Sequence, residues 1–492
     1  MKKKLKYFSF FIFHFSFFIA SAQSNYTDTQ REIARNATQQ LAGDTSLQFG
    51  YAGIIVQDAV TGEILCRHND TKSVIPASNL KIVTTSVGMA ILGSDYRFKT
   101  ELQYDGMIKD SVLYGNLYLK GYGDPTLGSP TFDTTMNMKK VLDSLTTIIK
   151  NKLAVKKIEG KIVGDASAWS DETAVPTWPF EDIGNYFGAG PSGLTFNENQ
   201  FKLTFQQQLE IGTRPYMNSI SPYVPEFDLQ NNTTSIDGGG DNVNIFSMPY
   251  TKTGFVNGTL PIGSRNIDVF GAVPDPALFT AWHLRKSLTD SGIVVTDSAT
   301  TQRRHQLQAF APPTRTTFFT WSSEDLKKII AYTNHESNNL CAETILRAIA
   351  FKQTGIADND KGITEILKYL KEHGIDTRGL FLQDGSGLSP RNGISAYQIA
   401  QILRISSSEF AGTLPRPGEK GTLKNFLKNY PSLSTRLSAK SGTIRRVKSY
   451  SGYLTTLGGR NLVFSVIANN FTCSQSEIRK KLEIFLGALG EI

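Results

Sequence analysis

Only three cysteines occur in 492 residues, Cys66, Cys341 and Cys473, and they lie far apart. So low and odd a count excludes a disulfide framework. It leaves room for one bridge at most, and buried free thiols are the simpler expectation. The six histidines, His14, His68, His283, His305, His335 and His373, show no metal-ligand spacing with one another or with cysteine, so no metal site is expected. Past residue 22 no stretch is apolar enough to span a bilayer. Internal repeats and low-complexity tracts are also missing. The net charge of +8 is partly made by Lys2, Lys3, Lys4 and Lys6. No dense basic run follows them, and nucleic acid is not an expected partner.

What is present begins with a leader. Lysines precede an apolar run over residues 7–19, followed by Ala20-Ser21-Ala22, a small-x-small cleavage pattern. The run is short for a membrane anchor. Residues 1–22 are therefore read as a cleaved signal peptide, and the mature chain as exported and soluble, with no stable membrane span. No cysteine follows the cleavage site, which argues against a lipid anchor. Hydrophobic content of 40% and charged content of 20% fit a globular protein. The length implies two or three domains.

The chain divides by texture. Residues 25–43 read as a polar, amphipathic helix. Residues 51–57 and 63–67 read as a hairpin, and a helix with Leu80, Val83, Val87 and Ile91 at helical spacing runs to about Leu92. From about 96 to 312 short β-like runs dominate, among them 99–104, 112–119 and 161–164, with helices over 137–151 and 274–291. The stretch 206–255 is rich in Asn, Thr and Gly. This region is read as one or two inserted β-rich units, an inner one spanning about 171–262. From about Thr316 a helical reading resumes, with helices over 322–333, 339–352 and 363–372. Three antiparallel strands over 438–443, 447–455 and 462–469 and a helix over 474–486 close the chain. The expectation is one α/β (α+β) domain, 23–95 plus 313–492, split by the 96–312 insertion.

Three short stretches carry chemistry. Ser78 and Lys81, just after Pro76, fall on one face of a helix start. A buried lysine loses its charge readily, so a neutral Lys81 can take a proton from Ser78. Ser337 and Asn339 offer a hydroxyl and an amide between two helices; alone they read as an ordinary N-cap. Lys440-Ser441-Gly442-Thr443 lies on a strand, with a cation for a carboxylate and a glycine that admits a ligand or marks a bulge. Each is weak by itself. Asp384 in Asp-Gly-Ser-Gly reads as a turn former, and His335 as structural. Arg445, Arg446 and Lys448 read as a solvated face.

In this order, Ser-x-x-Lys, Ser-x-Asn and Lys-Ser-Gly-Thr resemble the motif set of the active-site serine penicillin-recognising enzymes. The long interval between Ser78 and Ser337 makes the chain similar to the D-alanyl-D-alanine carboxypeptidase/endopeptidase family, the class C low-molecular-mass penicillin-binding proteins. Residues 121–127, Asp384-Gly385-Ser386-Gly387-Leu388-Ser389 and Ser451-Gly452-Tyr453 agree. The likeness weakens over about 206–268, and Ser441 stands where the family has threonine.

The resemblance implies a penicillin-binding-protein/β-lactamase-like transpeptidase domain. It implies Ser78 as nucleophile and Lys81 as base, with Ser337 and Asn339 holding Lys81 and shuttling the proton. Lys440 and the Thr443 hydroxyl would bind the substrate carboxylate, with Ser441 and Gly442 beside them, and Lys440 would lower the Lys81 pKa by like charge. Backbone N–H groups of Ser78 and Thr443 would form the oxyanion hole. No cofactor is implied. The implied partners are peptidoglycan peptides, with β-lactams as covalent inhibitors, and the implied location is the periplasm or cell wall. A β-lactamase, or a catalytically idle wall-binding scaffold, are the alternatives.

Overall fold

The computed structural model describes residues 26–133, 136–311 and 313–492. The leader assigned to residues 1–22 lies outside the described residues.

Strands from the two ends of the chain share one sheet. Its order is Leu437–Ile444, Val447–Thr455, Asn461–Asn469, Tyr51–Asp58 and Ile64–His68. All neighbours are antiparallel, with Ile54 opposite Val466 and Lys440 opposite Ser451. Side chains on a strand alternate between faces. Ala52, Ile54, Val56, Leu462, Phe464 and Val466 therefore enter a core with the terminal helices Asp28–Ala42 and Gln475–Leu489. Ile55, Val463 and Ile467 enter a second core with helices Lys81–Leu92, Leu326–Glu336, Asn339–Thr354, Asn359–Glu372 and Ala396–Ile405. Both faces are covered, which is why strands Tyr51–Asp58 and Asn461–Asn469 read as largely apolar runs. The three C-terminal strands and the α/β class agree with the sequence expectation.

Between residues 99 and 322 four further sheets surround a core of their own. The largest has the order Thr300–Thr301, Ile162–Asp165, Leu117–Gly121, Lys99–Tyr104 and Thr316–Ser322. Two sequence expectations change here. The 112–119 run is two strands in different sheets, because Gly115 (φ 157°) turns the chain where a Cβ would meet the Asp105 carbonyl at 2.3 Å. The helical reading from Thr316 opens instead as a strand, Thr316–Ser322, paired antiparallel with Lys99–Tyr104. The following helix starts at Leu326, capped by Asp325, whose side chain accepts from the Lys328 N–H.

Cys66 and Cys341 are buried free thiols, and Cys473 is half-buried. Among the described residues no helix is long and apolar enough to cross a membrane, and no group of three or more His, Cys, Asp and Glu is placed to hold a metal ion.

Candidate active site

Ser78 sits on a single 3-10 turn, Ala77–Leu80, one turn earlier than the α-helix Lys81–Leu92 that the spacing predicted to hold it. In a 3-10 turn residues i and i+3 eclipse, so Ser78 and Lys81 point the same way. The Lys81 Nζ lies 3.0 Å from the Ser78 Oγ. The turn is entered through Ala77 at φ 50°, an unusual value for a residue with a Cβ. Neighbours fix it there: Ser449 Oγ donates to the Pro76 carbonyl (2.8 Å), and Gly387 packs so closely that a Cβ would meet the Ala77 carbonyl at 2.0 Å.

Lys81 is fully buried. Its amine faces three acceptors: Ser78 Oγ, Asn339 Oδ1 at 2.6 Å and the Ser386 carbonyl at 2.7 Å. A neutral amine has two donors and one lone pair. Donation to Asn339 and Ser386 leaves the lone pair for the Ser78 hydroxyl proton. Burial pushes the Lys81 pKa down to about 7, while Asp384, Glu343 and Cys341 act in the opposite direction. Desolvation is the leading cause; the like-charge effect between Lys81 and Lys440 expected from sequence is felt at Lys440. Glu343 is itself pushed up, by burial and then by Asp384; it accepts from the Gly385 and Ser386 N–H groups.

Ser337 takes a left-handed conformation (φ 58°) between helices Leu326–Glu336 and Asn339–Thr354, and Asn338 caps the second helix. The two polar side chains of the motif divide between two lysines. Asn339 accepts from Lys81, whereas the Ser337 Oγ accepts from the Lys440 Nζ at 3.0 Å. The sequence reading had both on Lys81. Asn339 also donates its amide to the Phe187 carbonyl (2.8 Å), which fixes its oxygen toward Lys81. Phe187 carries no sequence signal for this role, since only its backbone takes part.

Lys440, on strand Leu437–Ile444, is fully buried and also donates to the Ser441 carbonyl (2.8 Å). Burial, then Lys81 and Lys448, hold its pKa well below the usual lysine value. Gly442 has a tighter reason than the ligand approach or bulge read from sequence. A Cβ there would meet Ser449 Oγ at 2.3 Å, the Pro76 carbonyl at 2.6 Å and the Asn79 N at 2.9 Å. Glycine lets this strand lie against the Ser78 turn itself. Thr443 is exposed, and its hydroxyl accepts from Lys448 Nζ at 2.7 Å, so Lys448 belongs to the site's edge and not to a solvated face. Burial lowers the Lys448 pKa to about 8. His335 stays outside the hydroxyl–amine cluster; its backbone carbonyl accepts from the Thr422 N–H (2.9 Å).

These groups open on a cleft of about 830 Å³ lined by Ser78, Ser337, Asn339, Ser441 and Thr443 on one side and by Glu181, Asp182 and Glu198 on another. A groove of about 790 Å³ on helices Met138–Leu153 and Pro276–Asp290 contains none of the motif residues.

The sequence model described as the D-Ala-D-Ala carboxypeptidase 3 (S13) family matches residues 34–489. The chain belongs to this family. It is 26% identical over 445 residues to the D-alanyl-D-alanine carboxypeptidase of Actinomadura sp. (strain R39), covering 87% of this chain and 79% of the relative. It is 24% identical over 448 residues to the D-alanyl-D-alanine carboxypeptidase DacB of Haemophilus influenzae, covering 87% of each. The crystal structure of penicillin binding protein 4 from Haemophilus influenzae shares its fold, with a TM-score of 0.77 at 22% identity over 92% of this chain and 97% of that one.

In this S13 chain residues between the first and second motifs reach the motifs through groups the sequence does not flag. Trp178 Nε1 donates to Asp384 (2.9 Å), whose carboxylate also accepts from the Gly387 and Ser389 N–H groups. This agrees with the turn-forming role read for Asp384. Asn197, Glu198 and Asn199 all have left-handed φ values, 53°, 54° and 52°. That conformation costs about 1–2 kcal/mol per residue. Four donors surround the buried Glu198 carboxylate: Ser129 and Thr131 hydroxyls, Tyr332 OH (2.9 Å) and Asn338 Nδ2 (2.9 Å). Charge-assisted bonds of this kind contribute about 1.5–3 kcal/mol each, enough to hold the turn. Glu198 thus ties its own left-handed turn to Asn338, the residue between Ser337 and Asn339.

Glu198→Ala is expected to lower kcat by roughly tenfold to a hundredfold, because a small displacement of reacting groups has costs of that order. KM should change little, and Glu198→Gln, which keeps one accepting oxygen, should recover part of the loss. Steady-state kinetics on a D-alanyl-D-alanine peptide measure this; equal kcat in all three proteins would remove Glu198 from any positioning role.

Proposed function

We propose that the chain is an exported serine-type D-Ala-D-Ala carboxypeptidase that acts through an acyl-enzyme on Ser78. The observation that carries the reading is the Ser78 hydroxyl 3.0 Å from a fully buried lysine amine. The Ser78 Oγ attacks the carbonyl between two D-alanines as its proton passes to Lys81 Nζ. The C–N bond then breaks, and the proton is delivered to the leaving amine. The Ser337 hydroxyl, between Lys440 and the cleft, supports a relay from one amine toward the other. Backbone N–H groups of Ser78 and Thr443 are the proposed oxyanion donors, worth on the order of 10²–10³ in rate each in other acyl-transfer enzymes. Water hydrolyses the ester, which restores the Ser78 hydroxyl and releases the shortened peptide.

Lys440, with Ser441, Gly442 and the Thr443 hydroxyl, is the proposed site of the terminal carboxylate. Burial disfavours charge on Lys440 in the free protein, and an arriving carboxylate favours it. Substrate binding and protonation of Lys440 are therefore coupled in this reading. The size of the cleft, about 830 Å³, supports endopeptidase action on D-alanyl cross-links as a second activity of the same site. β-Lactams are proposed to acylate Ser78; a β-lactam complex of penicillin binding protein 4 from Haemophilus influenzae supports this by analogy. We further propose export by a signal peptide at residues 1–22, a periplasmic or wall-associated location, and a catalytic unit of 23–95 plus 313–492 with an insertion over 96–312.

Incubation with purified muropeptides, followed by mass spectrometry, tests the reading. Loss of one alanine from pentapeptides is the carboxypeptidase result, and conversion of dimers to monomers the endopeptidase result. Unchanged muropeptides would favour an idle wall-binding scaffold. Rapid turnover of benzylpenicillin, in place of a long-lived adduct, would favour a β-lactamase.

A further inference from the structure

Strands Asp228–Ile236, Asn242–Phe246 and Thr253–Pro261 form a three-stranded sheet with Thr253–Pro261 in the middle. Its strands alternate strictly. Leu229, Val243, Ile245, Val256 and Leu260 enter the core of the inserted region. The register then fixes what faces out in three cross-strand rows. They are Gln230–Phe255–Phe246, Asn232–Asn257–Asn244 and Thr234–Thr259–Asn242. The rows hold amides, hydroxyls and two rings, and no charge. Every one of these nine side chains is exposed or half-buried. Among the described residues none of the five amides has a hydrogen-bond partner, so their donors and acceptors are open.

The rings are organised. Phe246 and Phe255 stack across the strands, with centroids 4.8 Å apart and planes at 13°. Phe180 joins them at 5.5 Å from Phe246 and is 54% exposed. Phe180 belongs to the short helix Phe180–Ile183, whose next two residues, Glu181 and Asp182, line the catalytic cleft. The Ile245 N–H donates to Asn185 Oδ1 (3.1 Å), and the Ala272 N–H donates to the Gly184 carbonyl (2.9 Å). The short helix that carries the cleft residues Glu181 and Asp182 therefore borders the edge strand Asn242–Phe246 of this sheet.

We propose that this face binds a neutral glycan strand, the sugar polymer that carries the peptide handled in the cleft. The proposal rests on the peptidoglycan-peptidase reading above. The chemistry selects the occupant. A sugar ring presents C–H groups that suit the electron-rich face of an aromatic ring. Its hydroxyl and acetamido groups both donate and accept, as asparagine and glutamine amides do. A nucleic acid or an anionic membrane would call for lysine and arginine, which the three rows lack. The rows extend about 13 Å along the strands, longer than one sugar ring. Polymer held here keeps its peptide stems at the cleft mouth, so binding on the face acts as an added local concentration of substrate.

The test uses the full chain, Phe255→Ala and Asn257→Ala, both substitutions being on the solvent face. N-acetylglucosamine oligomers are titrated by calorimetry. D-alanine release is then measured on glycan chains bearing pentapeptides and on a glycan-free D-alanyl-D-alanine peptide. The expected result is oligomer binding by the unaltered chain, weakened about tenfold in each variant, a loss of ~1.4 kcal/mol. KM on the glycan-bearing substrate should rise by a similar factor, with the free peptide cleaved as before. No oligomer binding by the unaltered chain, or unchanged KM in both variants, overturns the proposal. So does sedimentation showing a dimer that Phe255→Ala abolishes, since a second copy would then own the face. Failure of the peptidase reading is separate: no protein would release D-alanine from either substrate, while the oligomer titration would still report on the face.

Discussion

Ser78→Ala is expected to abolish release of D-alanine, by ~10⁴-fold or more, and to abolish any penicillin adduct. Ser337 also lies beside a buried amine, but its lysine, Lys440, donates to the Ser337 Oγ and to the Ser441 carbonyl and is the proposed carboxylate site; Ser386 reaches Lys81 only through its carbonyl. The fold should survive. Losing the hydroxyl leaves Lys81 with Asn339 and the Ser386 carbonyl, two acceptors for the two donors of a neutral amine. No buried donor is orphaned, so the penalty of about 1–3 kcal/mol for such a group does not arise. Intact-mass analysis after benzylpenicillin and muropeptide assays read the result, with thermal melting as the control. An adduct or wild-type activity in the variant would sink the assignment of Ser78.

Lys81→Met is expected to slow acylation by about 10²–10⁴-fold, the usual contribution of a positioned base. Methionine nearly matches the lysine stem in volume, so the effect is on the proton and not on packing. Two stability terms oppose each other. Removing a buried ionisable group relieves desolvation, whereas Asn339 and the Ser386 carbonyl each lose a donor and the Ser78 hydroxyl loses an acceptor. These effects offset, and the melting temperature should move little.

The same residue sets the pH dependence. In the proposed mechanism the base is the neutral Lys81 amine, whose fraction grows as pH rises through its pKa. With that value lowered to about 7, the acylation rate should climb tenfold per pH unit on the acid side and flatten above about pH 7. Lys81→Met should lose the limb, and Glu343→Gln should keep it. The second control matters because the buried Glu343 carboxyl is also raised. A limb near the ordinary lysine value, or one that persists in Lys81→Met, would refute the base.

Much of the catalytic region was legible in the sequence, for a physical reason. Strands covered on both faces, such as Asn461–Asn469, are apolar over most of their length, and amphipathic helices such as Asn359–Glu372 show their period plainly. The stretch between residues 99 and 322 was less legible. Thr316–Ser322 is largely exposed, and its strand character comes from pairing with Lys99–Tyr104, more than two hundred residues earlier. The split at Gly115 depends on how closely the backbone passes Asp105. Local pattern carries neither fact.

The sequence alone determined the kind of chemistry. Ser78 and Lys81 stand three residues apart, and any helical turn brings them together, so their pairing follows from local geometry. Their order with Ser337, Asn339 and Lys440 marks the family. Tertiary structure decided how those groups divide the work. Which lysine meets Ser337, which carbonyls fix Lys81 and Asn339, and why residue 442 must be glycine all depend on segments brought together from distant parts of the chain. Glu198 and the Asn–Phe rows of the inserted sheet belong to the same class. Their roles rest on a left-handed turn and on cross-strand register, and both are properties of the packed backbone that no run of residue types encodes by itself.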